Sequence, residues 1–290
     1  MGDRIWAHAM PEGRGKWTSA KTNKELGGFS TSSVFRGNCF KNMAQLGITM
    51  HEFYHTLGLP DLYDRDRPYA SVSGKGGLGG LGVFDMMASP FGTNNQQEYP
   101  GSLSPWSKLD MGFVANPIEI TKSGTYTARP SNDYPDIYSI QRGYHPSESD
   151  DDDDEGGRRG EQLLIENRQN TGFDASLWTG GILIYKIDET QDHNGNKKHG
   201  FPGQKDAPEA NMAWPSNGLH YPIALLQADG KYDLEEAINN GDAGDFYNRI
   251  DQILQPGNGE LVATDLGTYP NTDRYVHACI RALRAYERKQ

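Results

Sequence analysis

The sequence predicts an α+β protein in two parts, because the character of the chain changes near residue 116. Residues 1–116 hold two segments with helical periodicity, at 42–57 and 102–111, between loops rich in glycine. Residues 117–290 hold short runs rich in Ile, Val, Tyr and Thr, which are typical of strands separated by turns. We therefore expect a mixed first part followed by a β-rich, sandwich-like second part.

The individual elements follow from local signals. In the first helix, apolar residues recur at steps of three and four; Gly58 is expected to end the helix, and Pro60 prevents it from resuming. A glycine-rich loop is predicted at 73–82, and Pro105 is tolerated in the first turn of the second helix. Strands are predicted at 4–8, 118–121, 125–128, 137–141, 162–167, 181–188 and 223–227.

Composition excludes several classes of protein. The 290 residues carry a formal net charge of −11, which argues against a nucleic-acid binder with a basic face. No stretch is long and apolar enough to predict a membrane span. Two cysteines, Cys39 and Cys279, make no disulfide framework or CxxC site, and one disulfide or two free thiols remain alternatives. The acidic run 150–155 predicts a solvated hairpin loop or a disordered insertion, with calcium binding as the less favoured interpretation.

A HExxH motif carries the chemistry of the sequence. It reads His51-Glu52-Phe53-Tyr54-His55 and lies within the first predicted helix. Positions i and i+4 share one face of a helix, so both imidazoles can reach one metal ion. A zinc ion lowers the pKa of a bound water from about 15.7 to about 7, and the neighbouring Glu52 can accept its proton. The plain alternative is a surface helix with two histidines.

The residues after the motif supply a candidate third ligand. Gly58 permits a sharp turn, after which Asp61 can return toward the two histidines. A catalytic zinc needs three protein ligands and one open position, and His51, His55 and Asp61 would provide them. Two nearby carboxylates, Asp64 and Asp66, compete for this role, and Asp61 could instead cap a turn.

Three further groups of residues are candidates for the site. A Met86-Met87 pair follows the glycine-rich loop, and either methionine could form an apolar floor under the histidines, although such pairs are also common in cores. The phenols of Tyr63 and Tyr99 could stabilise an oxyanion. Four aspartates in glycine-punctuated loops suit calcium, although turn formation is the alternative: Asp229, Asp233, Asp242 and Asp245.

The chain resembles the immune inhibitor A family of metallopeptidases. The resemblance is specific at 51–64, with weaker matches at 84–89, 103–113, 164–169, 173–174, 180–188, 226–230 and 241–245. It implies a secreted, zinc-dependent endopeptidase with a metzincin-like catalytic domain, in which Met87 would form the methionine turn. It also implies structural calcium in many members.

Two features depart from that family. Tyr54 stands where the family usually has glycine, and only about fifty residues precede His51, where family members carry a signal, a propeptide and the first strands of the catalytic domain. We therefore expect residues 1–116 to form a truncated catalytic domain.

The expected activity is hydrolysis of peptide bonds in protein substrates, with Glu52 as general base. The alternatives are a catalytically inactive binding or adhesion module on a peptidase scaffold, and, less favoured, a zinc hydrolase of another class.

Overall fold

The computed structural model describes ten segments of the chain. They are residues 7–10, 17–36, 42–63, 79–93, 97–121, 124–141, 161–188, 222–234, 238–247 and 259–263. Several predicted features lie outside these segments: residues 4–6 of the first predicted strand, most of the glycine-rich loop, Asp64, Asp66, the acidic run 150–155 and both cysteines.

Two α-helices occur in the described segments. Helix α1 spans Leu46–Thr56 and helix α2 spans Pro105–Asp110. Three short 3-10 helices lie at Gly82–Phe84, Gly172–Asp174 and Ala243–Asp245. None of the helices in the described part of the chain has the length and apolar character needed to cross a bilayer.

Helix α1 begins later than predicted and ends where predicted. The prediction of helix from residue 42 was wrong, because Asn42–Met43 pair as a short strand with Phe35–Arg36. At the other end, Gly58 adopts a φ of +111°, a conformation that residues with a side chain rarely adopt. Helix α2 begins with Pro105 in its first turn, as expected, and the side chain of Ser104 caps it.

Thirteen strands are described. They are β1 (His8–Met10), β2 (Trp17–Thr18), β3 (Glu25–Leu26), β4 (Phe29–Thr31), β5 (Phe35–Arg36), β6 (Asn42–Met43), β7 (Ile118–Glu119), β8 (Gly124–Ala128), β9 (Ile137–Gln141), β10 (Glu161–Arg168), β11 (Gly181–Asp188), β12 (Ile223–Leu225) and β13 (Gly259–Ala263). The six strands predicted after residue 116 are confirmed as β7 to β12, and β2 to β6 and β13 were not predicted.

A five-stranded sheet forms the centre of the fold, in the order β12-β11-β10-β9-β7. Its pairs are antiparallel except β7 with β9, and Ile165 of β10 lies between Tyr138 of β9 and Ile184 of β11. Four two-stranded sheets accompany it: β1 with β4, β2 with β3, β5 with β6, and β8 with β13.

The central sheet is buried on both faces. Along β11, Leu183, Tyr185 and Ile187 face one hydrophobic cluster, while Ile182 and Ile184 face a second. This alternation is the period of two that a strand imposes on its side chains. The first cluster also contains Leu59, Leu62, Phe84 and Met87, so residues before and after position 116 share one core.

Helix α1 packs beside β1 and β4 with an unexpected face inward. The buried residues of the helix are Gly47, His51 and Glu52, whereas Leu46, Phe53 and Leu57 are 43 to 48% exposed. These three apolar side chains therefore lie at the surface. Gly47 has no side chain, and the Pro90 carbonyl lies against it where a Cβ atom would sit.

Arg168, at the end of β10, forms a buried ion pair and connects the sheet to the segments that precede α2. The Arg168 Nη2 atom lies 2.6 Å from Glu166 Oε1, and both side chains are fully buried. Arg168 also donates through Nη1 to the Phe84 carbonyl and through Nη2 to the Leu103 carbonyl, each at 2.8 Å. Charged side chains this deep require such partners, because desolvation of an unpaired ion is costly.

We predict that Arg168→Met lowers the free energy of unfolding by about 3–5 kcal/mol, because the carboxylate of Glu166 then loses its main counter-charge inside the core. Urea denaturation measures the effect, provided that the m-value is unchanged. The matched control is Arg129→Met, since the Arg129–Asp136 pair is bidentate but its arginine is half exposed. A much smaller loss is expected there, and equal losses in the two variants would contradict the prediction.

Candidate metal centre

Three ligand atoms converge at the C-terminal half of α1. His51 Nε2 and His55 Nε2 lie 3.1 Å apart, one helical turn from each other. The Asp61 Oδ1 atom lies 3.2 Å from His51 Nε2 and 3.0 Å from His55 Nε2. Among the described residues, His51, His55 and Asp61 form a group whose possible ligand atoms all lie within 4.8 Å of one another.

A tight chain reversal brings Asp61 back to the helix. Leu59 N donates to the Tyr54 carbonyl, and Gly58 N donates to the His55 carbonyl at 3.1 Å. The positive φ of Gly58 allows this reversal, and Pro60 then directs the chain away from a further helical turn. The turn chemistry read from the sequence thus accounts for the position of the third candidate ligand.

The outer nitrogen of each imidazole is fixed by a backbone carbonyl. His51 Nδ1 donates to the Met86 carbonyl at 3.0 Å, and His55 Nδ1 donates to the Leu59 carbonyl at 2.7 Å. A carbonyl oxygen can only accept, so both Nδ1 atoms carry a hydrogen, and in the neutral imidazoles both Nε2 atoms then present lone pairs inward. Histidine ligands of metals show this arrangement. Three acceptors facing one point require a cation or a proton between them, so these residues fit a bound divalent metal.

The pKa shifts of Asp61 and His55 also indicate that a cation is favoured between the three side chains. Burial by itself raises the pKa of Asp61, but hydrogen bonds from His51 and His55 outweigh burial and hold this pKa well below the usual range. Burial lowers the pKa of His55, yet the hydrogen bond and charge of Asp61 reverse this and raise it. Positive charge is therefore favoured at the point where the three side chains meet.

Glu52 lies beside the ligands in an environment suited to a base. The residue is 9% exposed on α1. Burial raises its pKa, while the charges of His51, His55 and the nearby His8 partly oppose that rise. A carboxylate with a raised pKa holds a proton more readily than one in water, which is useful in proton transfer near neutral pH.

The backbone of the Met86-Met87 pair contacts the centre. The Met87 side chain is fully buried in the main core, and the Met87 carbonyl accepts from Leu62 N at 2.9 Å. The Met86 carbonyl accepts a hydrogen bond from His51 Nδ1. The apolar floor formed by Met87 stays a prediction, and the backbone contact is a feature that sequence reasoning missed.

The remaining aromatic candidates lie at different places. The Tyr63 ring is nearly parallel to His51, with centroids 6.4 Å apart, so Tyr63 belongs to the surroundings of the centre. Tyr99 is exposed, with its carbonyl against Gly92. Tyr54 packs edge-on against Phe113 at 6.4 Å and is half-buried. A side chain is thus accommodated at that position.

The four C-terminal aspartates form a cluster of their own. Asp242 caps the 3-10 helix Ala243–Asp245, and Asn239 Nδ2 donates to both Asp233 and Asp242. Lys231 Nζ pairs with Asp229 Oδ2 at 2.7 Å. The oxygens of these described aspartates do not form a second group of three within 4.8 Å. Calcium binding here stays a prediction.

We predict that Asp61→Ala weakens zinc binding more than about 100-fold, because loss of a ligand should exceed the 10- to 100-fold effect of losing an outer partner. Competition with a chromophoric chelator measures the affinity. Asp133→Ala is the control, since Asp133 is an exposed carboxylate in a turn. Wild-type affinity in the Asp61 variant would remove Asp61 from the ligand set.

We predict that the titration of Asp245 makes the free energy of unfolding depend on pH. Burial, reinforced by the charges of Asp242, Asp229 and Asp233, raises its pKa to about 7 against the opposing hydrogen bond from Asp242 N. The native state then binds a proton that the unfolded state releases between about pH 4 and 7, so lowering the pH from 8 to 5 stabilises the fold.

Urea denaturation with a calcium chelator tests this effect. In Asp245→Asn the increase in the free energy of unfolding between pH 8 and pH 5 should be smaller, because residue 245 then has no carboxyl group to titrate. Asp133→Asn should show the same increase as the wild type. An increase in the free energy of unfolding as large in Asp245→Asn as in the wild type would contradict the prediction. If the cluster binds calcium, added calcium at pH 8 should stabilise the wild type more than Asp245→Asn.

Comparison of the chain with protein-family models, curated proteins and solved structures gave no match. The geometry of the residues themselves is therefore the first basis for inferring a function. That geometry comprises two imidazole nitrogens and one carboxylate oxygen at 3.0–3.2 Å, with a buried glutamate beside them. These are the residues of a candidate metal centre.

Proposed function

We propose that this chain is a zinc-dependent endopeptidase. The observation that carries the proposal is the convergence of His51 Nε2, His55 Nε2 and Asp61 Oδ1, with both outer imidazole nitrogens held by carbonyls. Zinc takes nitrogen and oxygen ligands, and a catalytic zinc typically has three protein ligands and one open position. The resemblance of residues 51–64 to the immune inhibitor A family supports zinc, protein substrates and secretion.

The three ligands would hold the ion through atoms that already face one another. When bound, zinc supplies a Lewis acid that lowers the pKa of a water molecule and polarises the scissile carbonyl. The carbonyls of Met86 and Leu59 keep the two imidazole rings in a single orientation, so the ligands need little rearrangement.

Glu52 performs the proton transfers. Its carboxylate accepts a proton as the water oxygen forms a bond to the carbonyl carbon of the substrate. It then delivers that proton to the amine nitrogen as the carbon–nitrogen bond breaks. The position next to His51 on α1 and the raised pKa of Glu52 support this role.

The test compares three purified proteins: wild type, Glu52→Gln and Glu98→Gln. Glu98 is an exposed glutamate, so its variant controls for the loss of one carboxylate. Zinc content is measured in each, together with cleavage of casein. We predict zinc in all three, with cleavage reduced about 10²- to 10⁴-fold in Glu52→Gln alone, because general-base catalysis contributes about that factor.

The other outcomes also decide between functions. Zinc in every protein without cleavage by any of them would favour a catalytically inactive binding module on a peptidase scaffold. Absence of zinc from wild type after incubation with the metal would overturn the proposal.

A further inference from the structure

The side chain of Asp85 lies at the centre of a hydrogen-bond group that the proposed reaction does not use. It is fully buried. Its Oδ1 accepts from Met87 N at 2.7 Å, while its Oδ2 accepts from Ser104 N at 2.8 Å and from Ser107 Oγ at 2.6 Å. Every one of these groups belongs either to the turn after Phe84 or to the start of α2. Asp85 therefore ties the turn to α2.

The turn that Asp85 closes contacts the metal centre on two sides. Its Met86 carbonyl accepts from His51 Nδ1, and its Met87 carbonyl accepts from the backbone nitrogen of Leu62, the residue after Asp61. The backbone carbonyl of Asp85 itself accepts from Ala88 N and Ser89 N, at 2.9 and 3.0 Å. One closed turn thus supports two of the three candidate ligands.

We infer that Asp85 is a positioning residue for the metal centre, an inference that rests on the proposed zinc-dependent function. A histidine ligand is oriented by the hydrogen bond of its other ring nitrogen. A displacement of the Met86 carbonyl rotates the ring of His51 and turns Nε2 away from Asp61. A displacement of the Met87 carbonyl shifts Leu62 and, with it, the neighbouring Asp61.

The chemistry of the turn explains why a carboxylate occupies this position. Three donors from three residues point at Asp85, and a carboxylate accepts at both oxygens. An asparagine has one accepting oxygen, so its amide group would face either the Met87 N–H or the Ser104 N–H. Because two donors repel, the turn or the start of α2 must move.

The chain offers a matched control in Asp174. That residue is equally buried, and its carboxylate accepts from Ser102 N at 2.9 Å, Ser102 Oγ at 2.6 Å and Asn132 Nδ2 at 2.9 Å. Asp174→Asn thus removes the same kind of interaction as Asp85→Asn. The hydrogen-bond partners of Asp174 are Ser102 and Asn132, with Arg168 Nη1 at 3.9 Å, and none of them belongs to the turn at 85–89.

The experiment measures metal binding and stability separately. For wild type, Asp85→Asn and Asp174→Asn, zinc affinity is measured by chelator competition, cobalt is substituted for its visible absorption spectrum, and the metal-free proteins are unfolded thermally. Both variants should unfold at lower temperature. Only Asp85→Asn should lose about 10- to 100-fold in zinc affinity and show an altered cobalt spectrum.

Three results would overturn the inference. They are wild-type zinc affinity and cobalt spectrum in folded Asp85→Asn, an equal loss of affinity in Asp174→Asn, and failure of the wild type to bind zinc. The last also removes the proposed function, whereas the first two leave that function intact.

If Asp85→Asn does not fold, two milder substitutions test whether Asp85 positions the metal centre. Ser107→Ala removes one donor to Asp85, and Ser102→Ala removes the equivalent donor to Asp174. Zinc affinity should fall about two- to tenfold in Ser107→Ala only. Equal affinities in the two serine variants would overturn the inference.

Discussion

The arrangement of the described residues depends on the contacts of one buried group, the guanidinium of Arg168. It stands at the end of β10 and holds the Phe84 and Leu103 carbonyls, more than sixty residues away in sequence. Its charge is tolerated because Glu166 lies beside it, and Lys108, Ser131 and Tyr185 complete the partners of that carboxylate. The Arg168 Nε atom has no hydrogen-bond partner among the described residues, so some desolvation cost remains.

The position of Arg168 links the rigid centre of the fold to the metal centre. Phe84 directly precedes Asp85, and Leu103 directly precedes Ser104, so the guanidinium fixes the backbone on both sides of the Asp85–Ser104 hydrogen bond. The sheet residues themselves lie in a core that excludes water on both faces. The turn at 85–89 is therefore anchored to the most deeply buried part of the molecule, which suits a backbone that must hold ligands at a constant distance.

Local sequence signals were sufficient to predict which three residues meet at the candidate centre, but not which residues support them. His51 and His55 follow from helical spacing, and Gly58 predicts the reversal that returns Asp61, because each of these relations spans ten residues or fewer. The strands β9 and β11 were also predicted with correct bounds. Strands of two or three residues, such as β2 and β5, contain too few positions to show a period.

The supporting residues could not be found in the same way. Arg168 and Phe84 are joined across 84 positions, and no periodicity records such a contact. Asp85 stood in the sequence beside the methionines, which drew the interpretation toward an apolar floor. The signal that could have identified it is a charged residue between apolar ones, Phe84 and Met86, because a carboxylate in such a run must have buried donors.

A metal ion bound at the candidate centre would be coupled to the stability of the fold. Three acceptor atoms held 3.0–3.2 Å apart repel one another unless positive charge lies between them. In the metal-free protein the raised pKa of His55 indicates that a proton meets part of this need. A divalent ion must displace that proton, so metal binding and protonation compete at one point. The surrounding backbone resists collapse or separation of the ligands, because Met86, Met87 and Leu59 are fixed independently of the ion. The free energy of metal binding is then added to the native state alone, and the unfolded chain, in which the three ligands are apart, gains little of it.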